Sequence, residues 1–134
     1  MHYQPNILLI HVDDLGWQDT EVPMLAEATP QNLQWRTPNI AGLAADGVVL
    51  SNGYASGPVC TPSRVSLLTG QTPGRHHTTF WTLHHNQDTS AKHPRLQPPD
   101  WKNAGLQPNS TNLPALLAAN GYRTIHAGKA HFGA

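Results

Sequence analysis

The chain has 134 residues, a length that allows one ordinary domain with a real core and leaves little room for an elaborate enzyme. Charged residues make up only 12%, and eight basic residues balance eight acidic ones, so no charge excess points to nucleic acid or an anionic membrane. A single cysteine excludes an internal disulfide and leaves the redox compartment open.

The first element is NILLIHV at 6–12, a short apolar run stopped by Asp13-Asp14. Bounded in this way it reads as a buried strand of a parallel sheet. It is far shorter than the roughly 20 residues of a membrane span. It also lacks the charged start and small-residue cleavage site of a signal peptide, which leaves localisation unassigned. TPNIAGLAADG follows, with Thr37 as N-cap, Pro38 at the first helical position and Gly47 just past the end. VVLSNGYA at 48–55 reads as a second strand. In TPSRVSLLTG, Pro62 sits in an early turn and Gly70 closes a short helix that starts right after Cys60. From Gln71 to about Ser110 the pattern dissolves into histidine pairs, prolines and amides, a length of loop that is usually functional when ordered. TNLPALLAANG then gives a helix ending at Gly121, and YRTIHAG a third strand over 123–128. This alternation predicts an α/β fold, a sheet flanked by helices, with 6–12, 48–55 and 123–128 as neighbouring strands. The chain ends at GKAHFGA with nothing to close such a fold, which reads as an interruption.

Three clusters carry chemistry. Asp13 and Asp14 fall beyond the carboxyl end of the first strand, where ligands sit in open α/β sheets. Adjacent carboxylates there suit a hard cation such as Ca²⁺ or Mg²⁺, or else a turn whose acids face water. Cys60 precedes a helix start, with Arg64 one turn on, surroundings that favour a thiolate or bind an anion. The other reading is a buried structural thiol, although prolines on both sides and the arginine are unlike core filling. Lys129 and His131 follow the third strand, where residues two apart share a face. They can bind an anion and move a proton, or form an ordinary surface pair. Asp13, Cys60 and Lys129 are expected to converge at one edge of the sheet.

Together these segments resemble the formylglycine-dependent sulfatases. PNILLIHVDDLGW is similar to that family's first strand and paired metal acids, and TPNIAGLAADGVVLSNGYA to the helix and strand that follow. CTPSR fits its Cys-x-Pro-Ser-Arg modification signature, and LPALLAANGYRTIHAGKAHFG its next helix and strand. The family usually has Gly-Lys-Trp-His in the last motif; Ala130 stands at the tryptophan here, which leaves Lys129 and His131 in place.

The resemblance implies an alkaline-phosphatase-like sulfatase fold, with residues 1–134 as the N-terminal portion of its catalytic domain. It implies that a separate maturation enzyme reads the proline and arginine and oxidises Cys60 to formylglycine. The aldehyde hydrate then offers two hydroxyls: one attacks sulfur and the alcohol departs, and loss of the other's proton expels sulfate and restores the aldehyde. Asp13, Asp14 and the modified Cys60 would hold Ca²⁺ (Mg²⁺ being the other candidate), Arg64 and Lys129 would offset negative charge, and His131 would accept the hydrate proton. The family's downstream metal ligands, and a further His and Lys that handle the leaving group, have no counterpart within these residues, so the chain alone is expected to be inactive. Its expected partners are a sulfated small molecule or carbohydrate and the maturation enzyme. The alternatives are a formylglycine-type phosphonate or phosphodiester hydrolase, and a non-catalytic remnant.

Two further features are weighed. His76, His77, His84 and His85 lack the cysteine pairs or helical spacing of a zinc site and read as pocket-lining loop residues. Trp81 and Trp101 either meet a sugar or aryl ring or anchor the loop. Asn109-Ser110-Thr111 fits the glycosylation acceptor pattern, which has meaning only in a protein secreted by a eukaryote.

Overall fold

The computed structural model describes residues 4–81, 95 and 105–133. His84, His85 and Trp101 lie outside the described residues. The chain divides into two compact units, Met1–Gly53 and Tyr54–Ala134.

In the first unit, buried Asn32 organises a loop. Its Nδ2 donates to the Thr20 carbonyl at 2.8 Å, while its Oδ1 accepts from the amide and hydroxyl of Thr29 at 3.0 and 2.8 Å. An amide with donors and acceptor both engaged can be buried at little cost, and it seeds the 3₁₀ turn Asn32–Gln34. Helix α1, Pro38–Asp46, begins where the sequence predicts, with Pro38 in its first turn. Thr37 is the N-cap residue, but its hydroxyl accepts the amide of Glu21 at 3.1 Å instead of capping its own helix. Gly47 ends α1 without a left-handed turn; it is suited by a close approach, since a Cβ there would lie 2.9 Å from the Leu43 carbonyl.

The second unit is built on α2, Cys60–Thr69, against which α3, Pro73–His76, and α4, Leu113–Ala119, both pack. The start of α2 is its most buried part, with Thr61, Pro62, Arg64, Val65 and Ser66 all buried. Gly57 lies over this start; a Cβ on it would come within 2.9 Å of the Pro62 ring. Gly70 ends α2 in the left-handed region (φ 66°), its amide donating to the Ser66 carbonyl at 2.8 Å. Helix α3 lies in the stretch whose sequence shows no periodicity, which four residues are too few to display. Asn112 caps α4 by accepting the Ala115 amide at 3.0 Å. At the other end, Gly121 (φ 85°) and Tyr122 donate to the carbonyls of Ala118 and Leu117, both at 3.1 Å, a Schellman closure.

The helices follow the sequence; the sheet does not. Residues 6–12, 48–55 and 123–128 carry no strand, and no strand occurs among the described residues. Their apolar side chains lie open, with Leu8 84% and Ile125 81% exposed. A strand is a property of a ladder: until a neighbour takes its N–H and C=O groups, an extended run satisfies them only through water. A helix closes its bonds within the segment, which is why local signals suffice for it. Buried apolar side chains among the described residues are correspondingly few, Val22 and Val65.

Candidate active site

The helix that opens the second unit's core carries the sequence-predicted nucleophile. Cys60 is the first residue of α2, one position earlier than the sequence suggests, and is half-buried. Val59 precedes it in extended conformation and no side chain caps the turn, so the first-turn amides are free of a competing side-chain acceptor. Thr61, fully buried, donates its hydroxyl to the carbonyl of Trp81 at 3.2 Å and so ties the residue beside Cys60 to the end of the described loop. Phe80 and Trp81, each half exposed, form a tilted ring pair with centroids 5.9 Å apart.

One turn along, the buried Arg64 donates from Nη1 to the Lys129 carbonyl at 2.6 Å, across 65 residues of sequence. This contact joins two of the predicted clusters, Cys60–Arg64 and Gly128–His131, in one place. A charged donor on a neutral carbonyl is among the stronger hydrogen bonds a protein makes. Two backbone specials shape the receiving segment, Gly128 at φ 96° and His131 at φ 51°. His131 is therefore not part of an extended run, and the strand alternation that would set it on one face with Lys129 does not apply. The segment is held instead by the Arg64 bond, by the Leu106 amide donating to the Phe132 carbonyl at 2.5 Å, and by an edge-on contact of His126 with Phe132. Gly105 (φ 71°) allows that approach, since a Cβ there would run into the Phe132 carbonyl and lie 2.6 Å from Gly133 Cα.

Arg64 has further partners, yet its Nε atom and the Nδ1 atom of His131 are both buried and make no hydrogen bond. A buried nitrogen of this kind costs free energy unless it serves a ligand or a reaction, so the two atoms mark the site's polar interior.

In the first unit Asp13 and Asp14 form a turn, with Asp14 left-handed at φ 55°, a conformation that aspartate tolerates better than most residues. The next acid, Asp19, is committed locally: its Oδ2 accepts the Gly16 amide at 2.7 Å. Among the described residues no group of three His, Cys, Asp or Glu side chains gathers as a metal site. Two adjacent carboxylates match Ca²⁺ in donor type but fall short of its usual six to eight oxygens.

The sequence places His76 in a loop and misses its partner. It is the last residue of α3, and its Nε2 lies 2.9 Å from the Ser66 hydroxyl on α2. Burial pushes its pKa below the ordinary histidine value, with neighbouring His77 adding to the effect and its own backbone bond opposing it. The signal was a serine two residues beyond the arginine and a histidine at the end of a Pro-Gly-Arg-His turn, legible only once α2 and α3 are known to pack.

Comparison with known proteins gives the family of the chain. The sequence pattern of the Sulfatase family matches residues 5–134. The chain is 36% identical over 129 residues to N-acetylgalactosamine-6-sulfatase of Homo sapiens, covering 96% of this chain and 22% of that protein. It is 38% identical over 133 residues to Arylsulfatase D of Homo sapiens, 98% of this chain and 19% of that protein. Steryl-sulfatase of Rattus norvegicus is 37% identical over 131 residues, again 96% and 19%. The chain thus spans about a fifth of the length of these relatives. A match along nearly its whole length, at this identity and with the Cys60–Arg64 segment opening a buried helix, makes the chain a member of the sulfatase family.

Proposed function

We propose that this chain supplies the nucleophile side of a site that hydrolyses sulfate esters, with Cys60 converted to formylglycine by a separate maturation enzyme. The observation that carries the reading is the Arg64–Lys129 bond, which brings the modification segment and the Lys129–His131 motif together in a member of the sulfatase family. Membership implies the alkaline-phosphatase-like fold, and in our reading the three apolar runs at 6–12, 48–55 and 123–128 are strands of its sheet. The relatives' names span an amino sugar, aryl and steryl sulfates, so the substrate class proposed is a sulfated small molecule or carbohydrate.

Each residue has a role. Residue 60, at the amino end of α2, presents its reacting atom to the oriented first-turn amides and the positive helix end, which favour an anion. Arg64, fixed on the Lys129 carbonyl, and the Lys129 ammonium offset the negative charge of the transferring sulfuryl group. The buried Nδ1 of His131, which makes no hydrogen bond, is the atom to accept a proton when sulfate is expelled. Asp13 and Asp14 would offer their carboxylate oxygens to Ca²⁺ or Mg²⁺. Such an ion supplies Lewis acidity toward sulfate oxygens and the nucleophile. The ligands still needed for a full coordination shell would come from outside these residues.

The test uses inorganic sulfate and the chain as it stands. Titration followed by NMR should move the Arg64, Lys129 and His131 resonances along one saturating curve, and Lys129→Ala should abolish or greatly weaken it. Sulfate that leaves those three residues unmoved would refute the anion-site reading.

A further inference from the structure

The hydrogen bonds around His76 fix its protonation state. The Thr78 amide donates to His76 Nδ1 at 3.1 Å, and an amide N–H can only donate. Nδ1 therefore carries a lone pair, and the ring proton sits on Nε2, from which it is given to the Ser66 hydroxyl at 2.9 Å. Both partners are enclosed, Ser66 at 5% and Thr78 at 1% exposure. An imidazolium would carry a proton on Nδ1 as well and set it against the Thr78 N–H. The arrangement thus accepts the neutral ring and rejects the charged one.

What this histidine holds is the helix of the candidate site. Ser66 stands two residues after Arg64 and six after Cys60 on α2, ten residues that rise together by about 1.5 Å each as one rigid rod. Among the described residues, the chargeable groups on the elements packed here are Arg75 on α3 and His77 at its C-cap, with Cys60 and Arg64 on α2; α4, the other helix packed on α2, brings none. None of these is an acid that could stabilise an imidazolium. Burial is the largest influence on the His76 pKa and lowers it; its own backbone hydrogen bond opposes this and His77 adds to it, and the net downward direction agrees with this geometry.

We propose that His76 is a positioning residue for the sulfate-ester site: as the neutral Nε2–H form it pins Ser66, and through it the helix bearing Cys60 and Arg64, and protonation releases that hold. The role of this helix in sulfate-ester chemistry rests on the function proposed above. The contact between His76 and the helix does not.

The measurement is an NMR pH titration of the isotope-labelled 134-residue chain with Cys60 unconverted and no sulfate present. The expected result has three parts. The neutral ring of His76 shows the Nε2–H tautomer; its midpoint falls below the ordinary 6.5; and the Cys60 and Arg64 amides shift with that same midpoint. His76→Gln, whose side-chain amide can still donate to Ser66 but does not titrate, should leave those amides flat across the range. An Nδ1–H tautomer, or Cys60 and Arg64 amides that stay flat while wild-type His76 titrates, would overturn the proposal. The same titration persisting in His76→Gln would overturn it too, since another group would then be its source. The wild-type part stands by itself if the variant does not fold. A failure of the sulfatase reading shows in the sulfate titration described above, on different conditions and different resonances.

Discussion

Replacing Arg64 by methionine removes the contact that assembles the second unit's site, along with the side chain's other partners. The unbranched methionine stem keeps the buried position filled, while the 2.6 Å bond to the Lys129 carbonyl is lost. A hydrogen bond from a charged group contributes about 1.5–3 kcal/mol. Two effects reduce the loss. Lys129 is exposed, so water can reach its carbonyl once the guanidinium has gone, and removing a buried charge recovers part of its desolvation cost. The net destabilisation of the 128–132 segment should be about 1–2 kcal/mol, roughly a tenfold rise in local opening at ~1.4 kcal/mol per decade. The Leu106 amide is the reporter, because it donates to the carbonyl of Phe132, the last residue of this segment. Its hydrogen exchange, followed by NMR, should quicken about tenfold in Arg64→Met while the Gly70 amide, bonded within the helix end to Ser66, changes little. Equal exchange at Leu106 in the two proteins would show that Arg64 does not hold the Lys129–His131 motif in place.

Three other outcomes follow from local geometry. Gly105→Ala places a Cβ against the Phe132 carbonyl at φ 71°, so thermal unfolding should show a loss of about 1–3 kcal/mol together with loss of Leu106 protection. Asn112→Ala removes the side-chain cap of α4 and should cost about 1 kcal/mol in denaturant unfolding, whereas Asn112→Asp should cost little. His76 has a folded-state pKa below its ordinary value, so the unfolded chain binds more protons in the window beneath 6.5. Stability should therefore be retained above that value and fall as pH drops through the window to the folded pKa; melting temperatures of wild type and His76→Gln should converge at acid pH.

The sequence made the helices legible because their signals are local. Pro38, Gly70, Asn112 and Gly121 each act within a turn of where they stand, and α1, α2 and α4 end within a residue or two of the expected places. The strands were legible as apolar runs but not as structure, since Ile7 through Val12 cannot form a ladder alone. In the site, residue types and spacing pointed to Cys60 and Arg64, and the partnership of Arg64 with Lys129 is what folding adds. The strand geometry expected to set Lys129 and His131 on a common face does not apply to a residue at φ 51°. His76 was hidden for the opposite reason: its type was visible, but its meaning depends on α3 lying against α2.

The account depends most on the fate of Cys60, and mass spectrometry of the peptide that contains it is the direct measurement. The chain is produced with and without a formylglycine-generating enzyme, and the same peptide is compared. With the enzyme, sulfur at residue 60 should be exchanged for oxygen with loss of two hydrogens, and Pro62→Ala or Arg64→Ala should suppress the change. A cysteine that stays a thiol under conditions where a known sulfatase is converted would contradict the reading of residues 60–64 as the precursor of a sulfate-ester nucleophile.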